Sequence, residues 1–415
     1  MRHFVQPTPV PVLDVSFNAN LSALPAALTA LGFTYTCSSV RYYWDGAAFQ
    51  QLAANAFHTS YNPTTGTWGY FPEPSFACIT KWSCDFSNAV WVKSGGLTRA
   101  NATSCISGQV ASKLTAAAAS DYITQVGSTS ASVTQITDTI IEQGTATVSK
   151  IATWDGTNSQ IVGDAIITWA TGVVTSTLGT ATGFSLVPTG QLGPNGGKLF
   201  KLASTIINAT SGIIRSVRVF PDTSGGGGYC YLHHATTTAS ATGLTMSPVV
   251  TSGGNVTRSA MIFTSTTFIS VIPALKTSFG ISMVANVNFP YHLAATRVFS
   301  EVSDGTSTNR IVFRINTTNN PVAVSTGTTT VTLTSPFTTP SMQNCGVGVS
   351  SRAAYVSVCQ NNKIHAVFPN TNAMPTLTQF HIGNTEASAN QLCGYITRIR
   401  VYNYLNPQQL AKVSL

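Results

Sequence analysis

The chain has 415 residues, and only 8% of them are charged, against about 25% in an ordinary soluble domain. With 43% hydrophobic residues but so few ions, a heptad coiled coil and a charge-driven disordered chain are both excluded, and no apolar run approaches the roughly 18–20 residues of a membrane span. The net charge of +8 is spread thinly, densest in Arg215-Ser216-Val217-Arg218 and Arg398-Ile399-Arg400, so no basic stripe marks a nucleic-acid partner.

From the N-terminus, Met1-Arg2-His3-Phe4 runs into Pro7–Pro11 without the 7–15-residue apolar core of a secretory signal. Residues 1–80 carry aromatic bursts at Tyr42-Tyr43-Trp44, Phe57, Tyr61 and Trp68-Gly69-Tyr70-Phe71, separated by turn signals such as Asp45-Gly46. The segment is too short to bury so many rings in a core of its own, so it is expected to pack on a neighbour or a partner chain. Leu24–Leu31 allows a helical turn or two.

Residues 81–262 read as a succession of short strands, among them Gly144–Ser149, Ala165–Trp169 and Ile213–Phe220. Asp155-Gly156, Pro194-Asn195-Gly196-Gly197 and the Gly225–Gly228 tract turn the chain between them. Short strands without periodic helices predict a β-sandwich. Residues 263–415 predict a second one, from Ser278–Ala285, Asn309–Ile315, Ala353–Val358 and Gly394–Tyr402. The chain then closes in a short helix with Asn406 as N-cap and Pro407 in its first turn. The expected fold class is therefore all-β, an N-terminal region followed by two sandwiches that divide near Ile262.

Several stretches resemble a family of tailed-bacteriophage virion proteins, the head spikes and fibres. They are Trp44-Asp45-Gly46, Leu52–Ala56, Tyr61-Asn62-Pro63-Thr64-Thr65-Gly66, Glu73-Pro74 and Asp85–Lys93, in that order and spacing. The sequence departs from the family at His58-Thr59-Ser60, where an Arg is common, and at Cys78-Ile79, where an Asn-Leu pair is common. The resemblance implies an N-terminal attachment region and, behind Trp91, a jelly roll similar to carbohydrate-binding modules that closes at Val256–Ala260. Separately, Ser303–Ile311 and Gly394-Tyr395-Ile396 through Leu410 are similar to a concanavalin A-like, laminin-G-type sandwich. By resemblance the expected partners are other virion proteins, further copies of the chain as a homotrimer, and host-surface polysaccharide, and the expected location is the virion.

Chemistry leaves few marks. A glycosidase needs two carboxylates roughly 5–10 Å apart. The close pairs in sequence, Asp138/Glu142 and Glu301/Asp304, read as solvated strand ends or turns. His233-His234 lacks Asp, Glu or Cys at ligand spacing, so neither a metal nor a cofactor is expected. Without a nucleophile elbow or P-loop the chain reads as non-enzymatic, with no catalytic residue to name and its ligand-binding residues unknown. The rival readings are a tail depolymerase and a purely structural capsid decoration protein. Of the tryptophans 44, 68, 82, 91, 154 and 169, Trp91 and Trp169 read as core, and Trp154 is the candidate for stacking on a sugar. The eight cysteines (37, 78, 84, 105, 230, 345, 359, 393) read as reduced, with Cys345 and Cys359 the pair a sheet would bring nearest. The sequons at Asn20, Asn101, Asn208, Asn255 and Asn316 are expected by chance in a chain so rich in Ser and Thr.

Overall fold

The structure is a computed structural model. It describes residues 9–129, 134–206, 212–239, 247–271, 280–288, 296–315, 322–326, 329–332, 344–352, 355–360, 363–369, 376–387 and 391–414. The fold class is all-β, with two sandwiches of antiparallel sheets. Described helices are confined to Ala26–Ala30, Phe268–Val271 and Pro407–Val413.

The first sandwich stacks an eight-stranded sheet on a six-stranded one. The larger runs Thr180–Ser185, Leu199–Ile206, Gln135–Gln143, Tyr229–Ala239, Val110–Thr115, Thr98–Thr103, with Phe76–Cys78 and Val256–Arg258 continuing from the far end of Tyr229–Ala239. The smaller runs Val173–Thr175, Gln160–Thr168, Val148–Asp155, Ile214–Phe220, Ile123–Thr129, Val92–Lys93. Alternation explains the core. Leu114, Ile141, Leu202 and Leu232 point from one sheet to meet Ile151, Ile167, Val217 and Val219 from the other.

In the second sandwich one sheet runs Leu13–Ser16, Tyr395–Asn403, Gly280–Asn288, Asn344–Arg352, Tyr355–Gln360, Lys363–Pro369. It faces a sheet of Phe33–Thr36, Ile262–Ser265, Gln379–Ile382, Arg297–Ser303, Arg310–Ile315, Val322–Thr326, Thr329–Thr332. Its strands thus come from both before and after Ile262.

Residues 1–80 contribute strands to the C-terminal sandwich. Leu13–Ser16 pairs with Tyr395–Asn403, and Phe33–Thr36 pairs with Ile262–Ser265, so both complete the C-terminal sandwich. Leu13, Val15, Phe17, Phe33 and Tyr35 are buried in the same cluster as Met283, Phe299, Phe380 and Val401. The hairpin Arg41–Trp44/Phe49–Leu52 then crosses to the outer face of the eight-stranded sheet. There Trp44 and Phe49 are buried with Ile136, Ile140 and Tyr395. The physical reason is the one the sequence raised: a short aromatic segment cannot bury its rings alone. Its neighbour is this chain itself.

The two ends of the sequence meet here. Phe71 and Tyr395 lie edge to face with ring centroids 4.8 Å apart, and Tyr395 Oη donates to Tyr61 O at 3.1 Å. Asn62 Nδ2 donates to Asn288 Oδ1 at 2.6 Å, and Tyr70 and Ile396 exchange backbone hydrogen bonds. Asn406 caps the last helix in a reciprocal capping box with Gln409, Pro407 following it as expected.

Candidate functional site

Among the described residues a concavity with convergent polar groups opens at the rim of the first sandwich. It is a cleft of about 260 Å³ between the edge hairpin Thr98–Thr103/Val110–Thr115 and the loop Cys84–Ser87. Arg99, Asn101 and Gln109 bring a guanidinium and two amides to it, Asp85 and Ser87 face them from the loop, and Gly108 lies at its mouth.

Register places these groups. Thr98–Thr103 is an edge strand whose Arg99 and Asn101 stand opposite Leu114 and Ser112, hence on one face. Small residues, Ala100 and Ala102, take the other face. The connecting loop is held from two sides. Phe49 N donates to Cys105 O at 2.7 Å and Ser107 N to Phe49 O at 2.9 Å, so the N-terminal hairpin clamps it. Cys105 N also donates to His233 Nδ1 at 3.1 Å. Gly108 sits at φ +73°, and a Cβ there would meet no atom within 4 Å, so the mouth is open because the turn demands a glycine-like backbone.

The facing loop is equally fixed. Trp82 takes a left-handed φ of 52°, and its carbonyl accepts from Trp91 Nε1 at 2.8 Å. Ser83 donates to Val249 O at 2.6 Å, and Ser83 N donates to Thr251 Oγ1 at 3.0 Å. Asp85 Oδ1 accepts from Ser87 N at 3.0 Å and from Ser87 Oγ, closing an Asx turn.

Behind the cleft, Glu142 acts as an anchor. It is fully buried, accepts from Asn195 N, Asn195 Nδ2 and Gly197 N, each at 2.8 Å, and bonds His233 Nε2 at 3.1 Å. Asn195 in turn donates to Thr103 O at 2.8 Å and accepts from Thr103 N at 3.2 Å. One carboxylate thus fixes both ends of the segment from Thr103 to Cys105. Burial pushes the Glu142 carboxyl up, but hydrogen bonds from His233, Gly197 and Asn195 outweigh it and leave it below the usual range.

The expectation for Asp138 and Glu142 is therefore corrected: they are not solvated strand ends. Asp138 is 1% exposed and lies 3.3 Å from Lys201 Nζ and 3.4 Å from His234 Nδ1. The strand is covered by the N-terminal hairpin, so the two acids, four apart, point into an interior and are compensated individually. His233 and His234 belong to these networks. No group of His, Cys, Asp or Glu able to hold a metal occurs among the described residues.

Glu301 is corrected likewise. It is fully buried in Arg297–Ser303, whereas Asp304 is indeed a turn residue, accepting from Thr306 N at 2.9 Å and Asn309 Nδ2 at 2.8 Å. Arg310 Nη1 lies 3.2 Å from Glu301 and 3.9 Å from Glu386, so folding does unite two distant acids. Glu301 Oε1 accepts from Glu386 N at 2.9 Å, and Oε2 accepts from Arg310 Nη1 at 3.2 Å.

Trp91 and Trp169 are core, as expected, and Trp44 joins them. Trp154 is half-buried, and Arg218 lies 3.4 Å over its ring with Tyr122 on the same guanidinium at 4.4 Å, so one stacking face is already occupied. The cysteines 37, 78, 84, 105, 230 and 393 are buried and unbridged; the side chains of Cys345 and Cys359 lie outside the described residues, and Cys359 stands opposite Gly348. Sequence reading missed Arg99. The available signal was Thr98-Arg99-Ala100-Asn101-Ala102-Thr103, a strand alternating long polar with small residues.

No family model matches the chain, and no curated protein does. Among solved structures, the CBM40 of a Ruminococcus gnavus IT-sialidase bound to α2,6 sialyllactose is similar at 16% identity, over 35% of this chain and 90% of that one, with TM-score 0.29. Domain 4 of AbnA, a GH43 extracellular arabinanase from Geobacillus stearothermophilus, in complex with arabinotriose, is similar at 16% identity over 42% and 82%, with TM-score 0.30. A putative carbohydrate binding protein from Bacteroides ovatus is similar at 11% identity over 68% and 80%, with TM-score 0.26. Likeness of this degree assigns neither ligand nor activity.

Proposed function

We propose that the chain is a glycan-binding appendage protein of a bacteriophage virion, without enzymatic activity, and that the rim cleft is where it contacts host polysaccharide. The observation that carries the binding role is the cleft: a guanidinium, two amides and a carboxylate converge on a space suited to one sugar ring. Sugars present hydroxyls that both donate and accept, and this lining offers both. A surface rich in Thr and Ser and poor in ions suits such contact. The virion assignment, the attachment role and the homotrimer rest on the sequence resemblance. Because the aromatic surplus of residues 1–80 is buried within the chain, a trimer needs a different surface.

The test is a bacterial-glycan array probed with the full-length protein and with Gly108→Asn, which fills the open mouth and tolerates the positive φ. Binding by the native chain and its loss in the variant are expected. Native binding that the variant leaves intact would move the site elsewhere, and release of reducing ends would restore the depolymerase.

A further inference from the structure

Arg99 and Asp85 line the same cleft, and Arg99 Nη1 has no hydrogen-bond partner among the described residues. Among the described residues no ion pair reaches Arg99, while the buried cations Lys201, Arg215 and Arg258 each meet a carboxylate. The buried Arg41 and Arg297 donate instead to carbonyl oxygens, of Ala56 and Leu392, whereas Arg99 lines a cleft where a ligand has room. An anionic ligand in the cleft would give the Arg99 guanidinium, which lines it, a charge-assisted partner.

Resting on the glycan-binding reading, we propose that the cleft selects an acidic sugar, whose carboxylate pairs with Arg99 while its ring hydroxyls meet Asn101, Gln109 and Asp85. A guanidinium matches a carboxylate as a planar fork, giving two parallel charge-assisted hydrogen bonds. The same lining argues against phosphate. It holds one Arg, no Lys and one Asp, whereas phosphate recognition gathers several cations and a dianion would lie against Asp85. The volume of about 260 Å³ admits a single residue of a chain, so selection falls on one acidic unit of a polymer. The net charge of +8 acts in the same sense at long range, drawing the protein toward anionic polysaccharide.

The test uses the full-length protein and saturation-transfer NMR with glucuronic, galacturonic and mannuronic acids, each against its own methyl ester, and with glucose 6-phosphate. At least one acid is expected to bind about tenfold more tightly than its ester at low salt, as one charged pair in a half-open site would give. Arg99→Gln should abolish that preference, so that acid and ester bind alike, Arg99→Lys should retain part of it, and Gly108→Asn should remove both signals. Thermal midpoints confirm that each variant is folded. Equal binding of every acid and ester, or a preference that Arg99→Gln leaves unchanged, overturns acid selection while glycan binding stands. Tighter binding of glucose 6-phosphate than of any uronic acid overturns the carboxylate in favour of phosphate. If no sugar binds here and the glycan array is also blank, the glycan reading itself falls.

Discussion

Glu73 and Arg258 stand 185 positions apart in sequence and meet in the interior, with Ser247 Oγ donating to Glu73 Oε2 at 2.7 Å and Arg258 bonded to both. Glu73 belongs to the stretch Glu73-Pro74 and Arg258 to Val256–Ala260. Truncating one partner strands a buried charge, so Glu73→Ala is expected to cost about 3–5 kcal/mol, read from urea unfolding. A cost below about 1 kcal/mol would mean that water reaches the pair.

Buried acids also give the protein a two-sided pH response. For Asp138, burial raises the carboxyl, but the Lys201 charge and the His234 contact outweigh it, and the group ends below its ordinary value, as Glu142 does. A depressed carboxyl contributes stability that is full above the unfolded value and lost as pH falls through the folded one, so denaturation midpoints should drop below about pH 4. Glu301 has the opposite sign. Burial lifts it from 4.5 to about 7, against the opposing pull of Glu386 N and Arg310. Its folded form holds a proton that the unfolded form releases, so stability should decline as pH rises from about 4.5 to about 7. Glu301→Gln should flatten that upper limb and leave the acid limb in place; an unchanged upper limb would remove Glu301 as its cause.

At the scale of elements, the C-terminal sandwich depends on strands from the other end of the chain. Phe17 is fully buried, its ring centroid 5.9 Å from that of Tyr70 and 6.3 Å from that of Phe263. Phe17→Ala is expected to destabilise by about 3–5 kcal/mol. A truncated chain of residues 81–415 would lose Leu13–Ser16 and Phe33–Thr36 together, exposing an unpaired edge on each sheet and part of the apolar core. It should bind a hydrophobic dye and aggregate. If it remained monomeric with a native thermal midpoint, the first eighty residues would be a dispensable arm after all. A smaller effect is expected at the last helix, where Asn406→Ala should cost about 1 kcal/mol through loss of the capping box.

Across the whole molecule, the N-terminal hairpin is the part that links the two sandwiches to the cleft. Phe49 packs with Trp44 at 4.8 Å and clamps the loop at Cys105 and Ser107, while Tyr395 of the second sandwich shares its apolar cluster. Phe49→Ala should therefore weaken binding at the cleft as well as lower stability, whereas a core change remote from it, such as Ile311→Val, should lower stability by about 0.5–1.5 kcal/mol and leave affinity unchanged.

The amino-acid sequence determined what depends on local chemistry. Turn residues and short β-branched runs set the all-β class, and Asn406-Pro407 set the final helix start. The surplus of rings before residue 80 showed that the segment needs a neighbour. These signals are legible because each lies within a few residues of its effect. Tertiary structure alone decided which neighbour those rings meet and that Leu13–Ser16 lies beside Tyr395–Asn403. It also decided that Asp138 and Glu142 point inward rather than to water. Each of these is a pairing between positions tens to hundreds of residues apart, and alternation is the same whichever face a strand ends up burying. Arg99 belongs to that second class: in sequence it is one basic residue among 21, and only the register against Leu114 and the placement of the Asp85 loop bring it to the lining of a cleft.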